Sequence, residues 1–172
     1  MSSSSSDSSL DSEEATDFRP NQCCDAGSSP KQFNTTTCYK SSDQKKIDWA
    51  KIVHPARVVT YEDMLRLIND PGVYIIDVRK PKELQETGRI PTSINIPLSC
   101  VPNMLECVSG KEFQCSFGRE KPSKCDPLIF YCRSGYRASK ALFIALNLGY
   151  CNSKTYTGSW KEWSARKRCS CK

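Results

Sequence analysis

Cys132 and Arg137 enclose four residues, Arg133-Ser134-Gly135-Tyr136, immediately after the apolar run Leu128-Ile129-Phe130-Tyr131. A helix-forming stretch, 138–148, follows directly. Successive backbone amides of a short turn closing onto a helix N-terminus form a concave set of N–H donors, which stabilises a thiolate and any anion brought against it. Arg133 and Arg137 add fixed positive charge, and Gly135 permits a sharp turn that a side chain would obstruct. Cys132 is therefore expected to act as a nucleophile without a histidine base. The single histidine, His54, sits beside Pro55 ahead of the first expected strand, which argues against a His-assisted hydrolase and a His-ligated metal cluster.

The elements that must hold this turn alternate between strand and helix. Val58-Val59 reads as a short strand, and Thr60 with Asp63 as the cap of a helix over 61–69 whose core positions are Met64, Leu65 and Ile68. Pro71-Gly72 stops it. Residues 73–78 form a continuous apolar run, expected of a strand buried on both faces, with Asp77 at its C-terminal end. A short helix over 81–86 ends at Gly88, a third strand over 93–96 closes at Pro97, and 101–108 reads as helical. Residues 109–126 read as an irregular excursion. A buried strand over 127–131, the polar turn 132–137, a helix over 138–148, a strand over 154–157 and a helix over 159–165 complete the pattern. The expected class is α/β, a mainly parallel sheet with helices on both faces.

Composition narrows the rest. The apolar content of 38% over 172 residues suits one folded domain with unfolded ends. Residues 1–45 are rich in Ser, Thr, Asp, Asn and Gln and are expected to be a disordered extension, with the domain over 46–166 and a basic, Cys-containing tail over 167–172. Eleven cysteines cannot all pair within the chain, no C-x-x-C occurs, and reduced thiols without a zinc site are the expectation. Residues 1–30 carry six acids against Arg19 alone, so the chain's net +6 understates the basic character of the remainder. That excess suits small anionic substrates better than nucleic acid, since no base-stacking aromatics are interleaved beyond Trp160 and Trp163, both assigned to packing. No apolar run is long enough to span a membrane, and the Ser-rich, acidic N-terminus resembles neither a secretory signal nor a transit peptide. A cytoplasmic location is expected, with a mitochondrial one as the alternative.

Cys132-Arg133-Ser134-Gly135-Tyr136-Arg137 resembles the six-residue active-site loop of rhodanese-type sulfurtransferases. Asp77-Val78-Arg79 is similar to that family's D-V-R, and residues 88–97 to its G-H-I-P-G-A-x-N-I-P, with Arg89 in place of His and Thr92 in place of Gly. Gly158-Ser159-Trp160 stands at its terminal G-G-x, Ser159 replacing the second glycine in what reads as a peripheral change. Phe117-Gly118, Lys121-Pro122 and the pair Trp160 and Trp163 look most like the single-domain, heat-shock-67B-like thiosulfate sulfurtransferases. The resemblance implies a rhodanese-like fold and transfer of sulfane sulfur from thiosulfate or a persulfide donor to a thiophilic acceptor, through a persulfide on Cys132. It also implies an anion-binding loop of Arg133, Ser134, Gly135, Tyr136 and Arg137, no metal or organic cofactor, and a thiol acceptor such as glutathione or thioredoxin. Asp77 and Arg79 are expected to support the site as a pair rather than act on substrate. Cys100, Cys107, Cys115 or Cys125 would resolve a persulfide if one approached Cys132.

Two rivals stand beside this reading. Cysteine phosphatases and arsenate reductases of the C-x5-R type use the same device, but here four residues separate Cys132 from Arg137, Tyr131 precedes the nucleophile and Ala138 follows the arginine. A smaller ring of amides suits a terminal sulfur better than a tetrahedral oxyanion. The other rival is a rhodanese-like module kept for binding without turnover; such modules commonly lack the cysteine that is present here.

Overall fold

The computed structural model describes residues 49–169; the expectations for 1–45 and for the last three residues lie outside the described residues. The chain enters through a short helix, α1 (Trp49–Ile52), and a 3-10 turn over Pro55–Arg57, then alternates. Strand β1 (Val58–Val59) leads to α2 (Tyr61–Leu67), β2 (Tyr74–Asp77) to α3 (Pro81–Thr87), and β3 (Ile94–Asn95) to α4 (Val101–Glu106) and α5 (Gly110–Phe117). Strand β4 (Leu128–Tyr131) leads to α6 (Tyr136–Asn147), and β5 (Ser153–Tyr156) to α7 (Ser159–Cys169). The strands form one five-stranded sheet in the order β1-β5-β4-β2-β3, every pair parallel. Chain connections leave β2 and β4 in opposite directions along the sheet, so the crevice beyond their carboxyl ends is the switch point where ligands gather in such sheets.

Alternation along the strands divides the core between the two faces. Tyr74, Ile76, Leu128, Phe130 and Cys132 face one cluster with Leu105, Phe113 and Leu142, whereas Ile75, Ile129 and Tyr131 face the other with Met64 and Trp163. All four residues of β2 and of β4 are buried, as expected of central parallel strands. Thr60 and Asp63 form the capping box of α2: the hydroxyl accepts from Asp63 N–H at 3.1 Å and the carboxylate accepts from Thr60 N–H at 3.1 Å.

Four expectations are corrected. Leu65 is 39% exposed, and Leu67 takes its place against the core, because the helix turns Met64 rather than its neighbour into the sheet. Residues 109–126 contain a two-turn helix, α5, opened by a Ser109/Glu112 capping box and anchored by Phe113 packed on Phe117 at 4.7 Å between rings. The helix after β4 begins at Tyr136, so Tyr136 and Arg137 belong to its first turn and the turn proper is Cys132–Gly135. The last helix runs past its expected end at 165: α7 continues through Arg166, Lys167 and Arg168 to Cys169.

Candidate active site

Cys132 follows the last residue of β4 and is 1% exposed. Its Sγ accepts the Gly135 N–H at 3.1 Å, the hydrogen bond that closes the turn around the sulfur. Gly135 caps α6 with φ +92°, and a Cβ there would stand 2.6 Å from the Thr157 carbonyl oxygen, in the segment joining β5 to α7. Both the positive φ and the close approach exclude a side chain. Helix α6 has no acidic residue in its first turn, so the partial positive charge of its N-terminus is left to the sulfur and to an incoming anion.

A second segment braces Cys132 from below. Ser159 is fully buried at φ +52°, its Oγ accepting the Cys132 N–H at 3.2 Å, donating to Tyr156 O at 2.8 Å and lying 4.0 Å from Cys132 Sγ. Trp160 N–H donates to Cys132 O at 2.9 Å and Lys161 N–H to Arg133 O at 3.0 Å, so the start of α7 is stitched to the turn. The reading of Ser159 as peripheral is thereby corrected: it touches the backbone of Cys132. A left-handed φ explains why glycine is the easy residue there, and the three polar contacts offset the strain of a serine. Thr92, the other glycine replacement, has φ +61° as well, but its hydroxyl bonds Ile68 O at 3.0 Å on the surface away from the turn.

The residues of the expected anion loop divide by exposure. Arg133 and Ser134 are exposed, Gly135 is buried, and Tyr136 stands 48% exposed at the start of α6. Arg137 turns instead to α3, where both its terminal nitrogens donate to Glu83, at 2.6 and 2.7 Å. That fork of hydrogen bonds holds the Glu83 carboxyl down at about 2. Glu83 also accepts the Lys80 N–H at 3.0 Å, which ties the start of α3 to the start of α6. Sequence reasoning missed Glu83; its place in the first turn of a helix after D-V-R was the available signal.

Asp77 and Arg79 form a closed frame beside the turn. Arg79 is 1% exposed; it donates to Asp77 at 2.7 Å, Thr87 Oγ1 at 2.9 Å and Gly88 O at 2.8 Å, and its guanidinium stacks on Trp160 at 5.0 Å. Asn95 spans the same turn, its amide donating to Asp77 O and Arg79 O, each at 2.9 Å. Tyr131, at the end of β4, receives the Ile90 N–H at 3.0 Å, and burial pushes its hydroxyl well above the ordinary phenol range. Beside this frame, Arg79, Glu83, Glu86, Thr87, Arg133 and Trp160 are among the residues lining an open cavity of about 390 Å³.

Of the cysteines named as persulfide resolvers, Cys100, Cys107, Cys115 and Cys125 are exposed, and Cys125 lies in the turn before β4, at the opposite end of the strand from Cys132. Among the described residues, no three His, Cys, Asp or Glu gather as a metal site and no helix is long and apolar enough to cross a membrane.

The Rhodanese-like domain model matches residues 60–166. A rhodanese domain-containing protein of Drosophila melanogaster is 47% identical over 110 residues, 64% of this chain and 98% of that protein. The thiosulfate:glutathione sulfurtransferase of Saccharomyces cerevisiae is 37% identical over 116 residues, 66% of this chain and 82% of its own length. Among solved structures, the human single-domain sulfurtransferase superposes with a TM-score of 0.59 at 31% identity, over 63% of this chain and 96% of the other. On that coverage the chain belongs to the family of rhodanese-like domains.

Proposed function

We propose that this protein is a thiosulfate sulfurtransferase in which Cys132 carries the sulfur as a persulfide. The observation that carries the reading is the Gly135 N–H donated to Cys132 Sγ at 3.1 Å in a turn at the head of α6. The thiolate attacks the outer sulfur of thiosulfate, the sulfur–sulfur bond of the donor breaks, and sulfite leaves with the bonding pair. The acceptor thiolate or cyanide then attacks the outer sulfur of the persulfide, and the electron pair of that bond returns to Cys132 as thiolate. Arg133, exposed beside the sulfur, steers the anion; Ser134, Gly135 and Tyr136 line its approach; Arg137, held by Glu83, fixes the start of α6 and adds charge. Asp77 and Arg79 support the site without touching substrate.

The finer assignments belong to the same proposal. Glutathione is the favoured acceptor, in keeping with the name of the yeast relative, with thioredoxin as the alternative. The domain is taken as 46–166, the subgroup as the single-domain, heat-shock-67B-like one, and the cytoplasm as the location, with the mitochondrion named for a Schizosaccharomyces pombe relative as the alternative.

Intact mass spectrometry tests the reaction. After incubation with thiosulfate the chain gains one sulfur atom, cyanide removes it as thiocyanate, and the Cys132→Ser variant gains none. A chain that gains no sulfur under these conditions, or gains it equally without Cys132, overturns the proposal and returns the site to the phosphatase and binding-module readings.

A further inference from the structure

At the far end of β4 and β5 from Cys132, two exposed cysteines are held side by side. Cys125 lies in the Ser123–Asp126 turn, closed by Asp126 N–H to Ser123 O at 3.2 Å and Ser123 N–H to Asp126 Oδ2 at 2.7 Å. Cys151 lies in the turn between α6 and β5. Three links lock these turns together: Cys151 N–H donates to Lys124 O at 3.2 Å, Asn152 Nδ2 to Cys125 O at 3.5 Å, and Lys124 Nζ to Leu148 O at 2.7 Å. Arg57 fixes the second turn from outside, donating to Cys151 O at 2.8 Å and Ser153 O at 2.9 Å.

The Cys151 sulfur lies 3.6 Å from Lys124 O. That oxygen shares one rigid peptide plane with the Cys125 Cα, so the sulfur is held within roughly 6.5 Å of that Cα. The Cys151 N–H to Lys124 O contact at 3.2 Å likewise bounds the separation of the two Cα atoms at roughly 7.5 Å, a bound that takes in the range of about 4.4–6.8 Å a disulfide spans. Neither thiol serves the nucleophile, since β4 and its flanks place roughly 20 Å of chain between Cys125 and Cys132.

We propose that Cys125 and Cys151 are a redox-active dithiol that hydrogen peroxide converts to a disulfide. One thiolate attacks a peroxide oxygen, the O–O bond breaks, and sulfenic acid and water result; the partner thiolate then attacks the sulfenic sulfur and expels the second oxygen as water. Two thiols lose two electrons, the peroxide gains them, and two waters carry the oxygen and the protons. The bridge closes a loop over 125–151 that contains β4, the cysteine turn and α6, and so restrains the unfolding of the unit that carries the nucleophile.

The test uses the full chain carrying Cys132→Ser, because trypsin otherwise leaves Cys125 and Cys132 on one peptide, 125–133. After graded hydrogen peroxide, free thiols are blocked with N-ethylmaleimide and the unreduced digest is read by mass spectrometry. Peptides 125–133 and 141–154 are expected to be joined at the lowest effective dose, ahead of any other cysteine pairing, and the melting temperature to rise by several degrees in a change that dithiothreitol reverses. Further substitution of Cys125→Ser or Cys151→Ser abolishes both readouts. Recovery of the two thiols as maleimide adducts at doses that pair other cysteines, or their joining to other cysteines as often as to each other, overturns the assignment.

Discussion

Two turns leave adjacent parallel strands at the same edge of the sheet and use arginine in opposite ways. After β2, Arg79 is buried and its guanidinium donors go to Asp77, Thr87 and Gly88; after β4, Arg133 is exposed and Cys132 Sγ takes one amide hydrogen bond from a turn whose head is an acid-free helix. A cation whose donors are spent on its own protein cannot bind a substrate anion, but it can hold a neighbouring turn rigid. The turn after β4 thus rests on the closed frame after β2: Ile96 N–H donates to Asp77 O and Val78 N–H to Tyr131 O, so the two turns share one backbone lattice.

The largest expected effect separates the turns by function. Cys132→Ser lowers sulfur transfer by at least about 10³-fold, because a hydroxyl stays protonated where a thiol ionises, while the thermal melt of the variant stays close to wild type. Asp77→Ala does the reverse: it strands a buried guanidinium and destabilises the fold by about 3–5 kcal/mol, read as a lower urea midpoint. An Asp77→Ala protein as stable as wild type breaks the comparison.

Gly135→Ala comes next. The added methyl meets Thr157 O at 2.6 Å with φ at +92°, so the turn must shift, and turnover is expected to fall about 10²-fold as the sulfur leaves its donor. Gly118→Ala is the matched control, since φ is +66° but the space is open; it costs about 1 kcal/mol of stability and no turnover. Equal kinetic losses in the two variants would show that backbone strain, and not the closeness of Thr157, governs the site.

Ser159→Ala removes the acceptor for the Cys132 N–H and is expected to lower kcat about tenfold with KM for thiosulfate little changed, since the hydroxyl lies behind the sulfur. A rise in KM alone would place Ser159 on the substrate side instead.

The smallest effect concerns the Glu83–Arg137 link between α3 and α6. Glu83 titrates at about 2 in the folded chain against an ordinary 4.5, so the pair's stabilisation is present above about 4.5 and is lost as pH falls towards 2. Both side chains are 29% exposed, and screening limits the contribution to about 1 kcal/mol. Urea midpoints of wild type and Glu83→Gln should therefore differ at pH 7 and converge on acidification; a constant gap would assign the loss to packing.

Much of this is legible in the sequence. Continuous apolar runs announced β2 and β4, and Thr60 with Asp63 announced α2, because burial on two faces and capping each leave a short, dense pattern. Helix α5 was missed although Ser109, Glu112, Phe113 and Phe117 carry the same kind of pattern; the surrounding Gly, Lys, Pro and Ser diluted it. The sequence pattern starts α6 two residues late because a polar turn and a polar first helical turn look alike in composition.

The sequence by itself determined the candidate cysteine, the turn around it and the alternation that builds a parallel sheet, since each depends on residues within a few positions of one another. Tertiary structure alone decided which arginine stays exposed, that Glu83 captures Arg137 across 54 positions, and that Ser159 lies under Cys132 from 27 positions away. Those pairings follow from strand order: β5 is laid against β4 on one side and β2 on the other, bringing α7 and α3 to the same turn. No local pattern encodes that adjacency, because it arises from which faces the whole chain can bury together.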